Sequence, residues 1–563
     1  MAQKITASVI IGAMAASVIA FGTPQRQNGG TPIAPTIPTA NRYQPGMVFL
    51  EHANELKLEN GKDYQLLTGD VQFRRGDMYM YCDSAHFYDQ TSSLDAFGNV
   101  RMEQGDTLFV YADELNYSGP EQLAVLYGHD GNNVRLINKD VKLETEIFNY
   151  DLGINLGYYE YGGVLTDATN QLKSWVGEYS PSTKDANFYN DVRLTSISRN
   201  DTLKIFTDTL AYNTDTHLAD LVTMSTIVNR DGTIYTTNGT YNTDLGMADL
   251  YDRSMVVTRT GRTLIGDTLI YDRQNGWGEA RGNMELTDSA RQSTLKGEYG
   301  FYNELTDSAY VTGRALALEY SKGDTLYLHG DVIRTFRVIT TDSLGADTTN
   351  HLVANPRVRF YRSDIQGLCD SLTVVRRDTM MYMDVKPIVW SGDRQIFGGS
   401  IQVHFNDSTV EWAKLPDTGF IVEMIEDPYY NQLSGKEMLA TFVDGDMRHL
   451  DVSGNVEAIF LPQESDSTYN KIVNVTSSFL SADFLDKQVQ RMKMWPQTSG
   501  TTTPLYLAKK SLLYLPRFKW WETLRPQNPM DVFVYPDDMI ELMAEPDPTV
   551  RRAAITPPPP TAP

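Results

Sequence analysis

Residues able to do acid–base, nucleophilic or metal chemistry are plentiful in this chain, but none is arranged as those chemistries require. The eight histidines, His52, His86, His129, His217, His329, His351, His404 and His449, are scattered, and none forms an HExxH or other metal-ligand spacing. There is no P-loop, no GxGxxG following a strand and no GxSxG elbow. Two cysteines, Cys82 and Cys369, lie far apart in strand-like apolar runs. They make no CxxC pair, so small buried core residues are the better reading. Acidic residues do recur, but once per repeat. A catalytic acid needs one special environment, so the recurring acid reads as a turn ligand or a solvent-facing group. Enzyme chemistry is therefore not expected, nor is a cofactor or a metal.

The charge balance narrows the partners. Against 72 acidic residues stand 49 basic ones, a formal net charge of −23. Nucleic acid is excluded as a partner, because phosphate binding needs a basic patch. With 32 Tyr, 21 Phe and 41 Gly, strands and tight turns are favoured over helices.

At the start, Lys4 precedes an apolar, uncharged run from Ile5 to Phe21, with small residues Ala20 and Gly22 behind it. Residues 1–22 read as a secretory signal peptide, the alternative being an uncleaved N-terminal anchor. Residues 23–45 read as a flexible linker, and residues 531–563 as a Pro-rich disordered tail. The expected location is the periplasm, in association with the outer membrane or held by that anchor.

The dominant signal is repetition. A small residue, an acidic or amide residue, and an aromatic four places further on recur at Cys82–Phe87, Ala112–Tyr117, Thr145–Tyr150, Thr207–Tyr212, Gly266–Tyr271 and Gly297–Tyr302. An earlier copy ends at Leu58, a degenerate one at Ser182 and a weak one at Tyr241. Successive copies lie 29 to 33 residues apart, which places the chain among repeat architectures. A second mark, Gly-Asp/Asn-Val, stands at Gly69–Val71, Gly98–Val100 and Gly330–Val332, with variants at Asn190–Val192 and Gly282–Met284. It supplies the positive φ of a tight strand-to-strand turn. A third, Gly-Asp-Thr-Leu, begins at Gly105, Gly266 and Gly323. Apolar residues alternate between the marks, which means strands with one buried face. Stacked units of this kind bury a continuous core as a solenoid does.

These motifs resemble the repeat of the OstA/LptA family of periplasmic lipopolysaccharide-transport proteins, most closely over Leu94–Asp113. The resemblance covers Pro45 to Val332 well, then only pieces such as Leu368–Leu372, Asn431–Gly435 and Asp451–Val456. It implies an all-β fold: a stacked-strand β-jellyroll or solenoid groove built from repeats of about thirty residues, with an apolar interior that takes acyl chains. It also implies lipopolysaccharide or lipid A as ligand, and other lipopolysaccharide-transport proteins as partners through open edge strands. The expected division is an OstA-like repeat jellyroll over residues 46–335 and a second, irregular OstA-like region with a cap over residues 336–530. The groove-lining candidates are the alternating apolar residues Val71, Phe73, Met78, Met80, Val100, Met102, Leu108, Val110, Leu203 and Ile205. Two other readings stand beside lipid carriage. One is a structural or adhesive solenoid with a solid core, and the other a polysaccharide-degrading solenoid enzyme.

In the second half strand-like stretches continue without the period, and Asn474–Met494 is open between helix and strand. The aromatic, basic run Leu515–Trp521 reads as a cap over the last rung, or else as an anchor at a membrane interface.

Overall fold

The computed structural model describes residues 46–198, 203–321, 323–342, 345–406, 409–464, 467–485 and 488–544. The apolar N-terminal run, the linker and the Pro-rich end from 545 onward lie outside them. Strand accounts for 65% of the structure and helix for 4%, so the fold is all-β. No helix among the described residues is long and apolar enough to cross a membrane.

Among the described residues, alternation of apolar and polar residues gives 46 antiparallel strands in one hydrogen-bonded network. Long strands fold that network into two facing sheets. Gln65–Arg75, Met78–Tyr88, Ser93–Gln104 and Leu108–Ser118 each run through both sheets, as do Asp185–Ser196, Trp277–Asp288 and Asp446–Phe460 further along. Between these crossings the chain lays one short strand into each sheet in turn.

The Gly-Asp/Asn-Val mark makes the crease. It was expected as a turn between strands, and the positive φ is there, at +77° for Gly69 and +76° for Gly98. The position differs: the mark lies in mid-strand, where the register slips between Thr68 and Val71 and between Phe97 and Val100. A bulge of this kind bends a strand and raises its twist, which carries one strand from the first sheet into the second. The recurring acid of the hexapeptide sits across the crease. Asn99 donates to Asp83 at 2.8 Å, Asn283 to Asp267 at 2.7 Å, and the His129 backbone N–H to Asp113 at 2.8 Å. The acid is thus a structural ligand of the bend, and it sets the length of the repeat. A Cβ at Gly98 would lie 2.5 Å from an Asp83 carboxylate oxygen, on a left-handed backbone. Gly98→Ala is therefore expected to cost about 1–3 kcal/mol, read as a drop in the urea midpoint. Glu121→Ala, exposed in a turn away from the crease, serves as the control.

The aromatic that ends each hexapeptide forms the interior of the first sheet. Register pairs run Phe87–Leu94–Tyr117–Ala124–Tyr150–Gly157–Tyr179. They continue Ala186–Tyr212–Ala219–Tyr241–Ala248–Tyr271–Gly278–Tyr302. A large ring on one strand is thus opposed by a small residue on the next, which lets facing side chains interdigitate at native density. The degenerate copy assigned to Ser182 has its structural aromatic at Tyr179, buried level with Tyr150. The second sheet presents the aliphatic row Leu136, Leu143, Leu165, Leu172, Leu194, Ile205, Ile227 and Ile234. Both rows belong to a single core cluster. Cys82 and Cys369 are unpaired and buried within it, and burial pushes the Cys82 thiol up to about 12.

Strands continue to the end of the sheets. Lys471–Leu485 and Gln488–Trp495 settle the open segment Asn474–Met494 as strand. The chain then leaves the sheets and runs back as short 3-10 turns, ending in the helix Asp537–Ala544. This strap lies on the outer face of the second sheet and not over the last rung. The reason is a second core on that face, where Trp390, Phe397, Phe420 and Tyr430 pack with Leu524, Met539, Phe518 and Trp521.

Candidate ligand cavity

Large rings fill the space between the sheets as far as Tyr302. Polar side chains also tie the two sheets together along their open edges over this stretch. Asn138 on the second sheet donates to the Tyr179 hydroxyl on the first at 3.0 Å. One period later Asn170 donates to the Tyr212 hydroxyl at 2.9 Å, and that hydroxyl donates to Asp167 at 2.7 Å. Burial raises the pKa of Tyr179, and burial followed by the Asp167 charge raises that of Tyr212. Both phenols therefore stay neutral and able to donate. The next such tie is Arg262 to the Tyr302 hydroxyl.

Beyond Tyr302 the aromatic row ends. The same interior positions of the first sheet carry Ala309, Thr335, Leu352, Val374, Met381, Val403, Ala413, Ala440 and Leu450. The facing row of the second sheet carries Leu295, Ala317, Leu328, Phe360, Gly367, Val389, Ile396 and Ile421. A cavity of about 960 Å³ opens between the sheets here, lined by residues of both rows. That volume lies at the top of the usual range for sites that enclose small molecules. Nine strands of the first sheet span the stretch, from Ser308–Thr312 to Asp446–Phe460. At normal strand spacing this is about 40 Å.

The cavity is apolar in its depth and charged at its rim. At the end nearest Tyr302, Arg262 contacts Asp288 at 3.0 Å and Asp307 at 2.7 Å, and Arg291 reaches the same two carboxylates at 3.2 Å each. Burial opposes ionisation of Asp288, but the Arg291 backbone N–H and the Arg262 guanidinium outweigh it and hold the carboxyl below its usual range. Asp307 is likewise depressed, with burial outweighed by Arg291 and Arg262. Further along the rim Arg362 pairs with Asp364, and Arg394 with Glu423. Among the described residues no group of three His, Cys, Asp or Glu could hold a metal ion.

The ten groove candidates lie elsewhere. Val71, Phe73, Met78, Met80, Val100, Met102, Leu108, Val110, Leu203 and Ile205 all point into the interior, and each is at most 5% exposed. All ten pack the filled part of the array, and none lines the cavity. The strand alternation located the inner face correctly along the chain. It carries no information on whether that face meets another side chain or empty space. A signal for the cavity was present in the hexapeptide, whose terminal aromatic disappears after Tyr302. Loss of period from Thr335 looked like decay of the motif, whereas in the structure it is where the interior widens.

Residues 46–200 match the family model described as OstA-like protein. No curated protein matches the sequence.

Proposed function

Residues 46–200 form an OstA-like domain, and from that premise we propose that this chain is an exported, non-enzymatic carrier of acylated lipid in lipopolysaccharide transport to the outer membrane. The observation that carries the reading is the apolar cavity between the two sheets beyond Tyr302. A solid scaffold would have no use for an interior widened over nine strands. Removing a methylene from water is worth about 0.8 kcal/mol, so a chain of roughly twelve gains on the order of 10 kcal/mol in such a cavity. The net charge of −23 repels anionic head groups at long range, so binding rests on the tails. In this reading the filled stretch as far as Tyr302, which includes the OstA-like residues 46–200, is the stem, and the hollow continuation is the part that holds lipid.

Partners in the same path fit the open ends. Among the described residues, Phe49–His52 and Glu55–Leu58 pair with Gln65–Arg75 at one end, and Gln488–Trp495 and Ser499–Pro504 pair with Lys471–Leu485 at the other. The last two strands are exposed along nearly their whole length. Exposed strands at the end of a sheet can accept a further strand from another chain. Lipopolysaccharide or lipid A is the proposed cargo, and the periplasm the proposed location.

Ala413 faces the hollow, between Val403 and Ala440. Ala413→Trp places an indole in the hollow and obstructs it. Lipid extracted from purified protein and counted by mass spectrometry should fall at least about tenfold in the variant, with the β circular dichroism unchanged. Lipid-free wild-type protein, or equal lipid in both proteins, would end the carrier reading.

A further inference from the structure

The rim at the Tyr302 end of the cavity is not electrically balanced. Arg262 and Arg291 are matched by Asp288 and Asp307. Arg337 leans on the same Asp307 at 3.5 Å. Glu319 on the facing wall is hydrogen-bonded to the Ser321 backbone N–H at 3.1 Å. Arg376 then comes from the loop after the strand Ser371–Val375, lines the same end of the cavity, and is exposed. Among the described residues its guanidinium has no carboxylate within ion-pair distance. Four cations therefore meet three anions at this spot, in a protein with 23 more negative than positive charges.

The local physics makes that excess consequential. Burial and then the neighbouring Arg291 lower the pKa of Arg376, outweighing the more distant charges of Asp288, Glu319 and Asp307, yet a guanidinium stays charged under any physiological condition. A cation held beside apolar walls and a second cation lacks the anion that would complete its five-donor fork. The apolar cavity starts at its foot, with Leu352 and Val374 on the same wall. We infer that Arg376 is the head-group site of the cavity, taking the single anionic group, phosphate or carboxylate, of an amphiphile whose chains run from there toward Leu450. This rests on the carrier reading above and adds the orientation of the cargo and the chemistry of its head. The paired arginines Arg362 and Arg394 further along the rim offer no such vacancy, because each already holds a carboxylate.

The test separates head from tail. Delipidated full-length protein is loaded with N-phenyl-1-naphthylamine, an apolar fluorophore, and titrated with dodecyl phosphate, dodecanoate, dodecanol or inorganic phosphate. Wild-type protein should release the fluorophore to both anionic amphiphiles at about tenfold lower concentration than to dodecanol, the size expected for one charge-assisted contact. The long-range field of an acidic protein works in the opposite direction, so that preference must be local. R376A should bring all three amphiphiles to within about twofold of each other while leaving dodecanol unchanged, and R376K should restore part of the preference. Inorganic phosphate alone should displace nothing. Survival of the preference in R376A would overturn the assignment, as would equal binding of all three amphiphiles to wild type; in both cases the carrier reading stands. Calorimetric binding of inorganic phosphate that is lost in R376A would make the ligand a free anion and overturn the amphiphile. Failure of every amphiphile to displace the fluorophore would remove the carrier reading itself.

Discussion

Tyr179→Ala is expected to cost about 3–5 kcal/mol of local stability, the range seen when a large buried ring is deleted from a packed core. Tyr179 is fully buried, opposed by Gly157 on one side and Ala186 on the other. Small neighbours cannot move in to refill the space, so the cavity term stays near its upper value. Tyr179→Phe keeps the ring and loses the hydroxyl's bonds with Asn138 and Thr214. Asn138 retains the Pro181 carbonyl as a second acceptor at 3.1 Å, so this variant should cost about 1 kcal/mol. Because each strand touches mainly its neighbours, the loss should be local. Amide hydrogen exchange should quicken in Leu156–Tyr159, Val176–Tyr179 and Asp185–Ser196, and much less beyond Trp277. The comparison is Val403→Ala in the hollow stretch. Val403 already borders open volume, so trimming it forfeits fewer contacts, and about 1 kcal/mol is expected. Equal costs at the two sites would mean that the two halves are packed alike and that the cavity is not open in solution.

That contrast also marks how far the sequence could be read. Strand periodicity, the thirty-residue repeat and the glycine-acid marks are local. Each follows from steric rules that act within a few residues, so the all-β stack and its inner face were legible. The role of Gly98–Val100 was legible only in part. Positive φ is a property of the residues, but whether the chain reverses there or bends on into a second sheet depends on Asp83 across the crease, sixteen positions away. The cavity was not legible from alternation, since Val110 and Val374 are both inward-facing residues of alternating strands. Val110 is buried against packed neighbours and Val374 borders empty space. What separates them is the size of the residues they face, set by pairings many residues away in the chain. Arg376 had no distinguishing pattern at all. Its interest comes from Asp288, Arg291 and Asp307 being already engaged with one another.

The strap accounts for how a hollow stack stays folded. Strands such as Val358–Arg362, Arg394–Phe397 and Gly419–Glu426 border the cavity on their inner side, where it takes the place of part of their core contacts. They recover them outside, where Leu524 and Val532 of the strap are fully buried and Met539 nearly so. Buried polar groups on that face bind the strap backbone. Gln395 donates to the Lys519 carbonyl at 2.8 Å and accepts from the Trp521 N–H at 2.8 Å. Gln432 does the same with Leu513 at 2.7 Å and Leu515 at 2.8 Å. The Arg359 guanidinium, 2% exposed, donates to the Leu524 carbonyl at 2.9 Å and to that of Val534. Truncation after Pro504 would expose the apolar face and leave these groups without partners, at about 1–3 kcal/mol each for the glutamines and more for the charge. The truncated chain should therefore lose exchange protection from Val358–Arg362 through Tyr429–Gly435, while the filled half keeps it. Acid should act in the same direction. Burial lowers the pKa of His329, which packs against Phe533 and Tyr535 of the strap. Its contribution is complete above the ordinary histidine value of about 6.5. It is lost as pH falls below that value and through the lower folded-state pKa, so the strap-covered strands should show smaller protection factors, corrected for the intrinsic exchange rate, at pH 5 than at pH 8. His329→Asn should flatten that dependence. Protection in these strands that is indifferent to truncation would show that the hollow half stands without its strap.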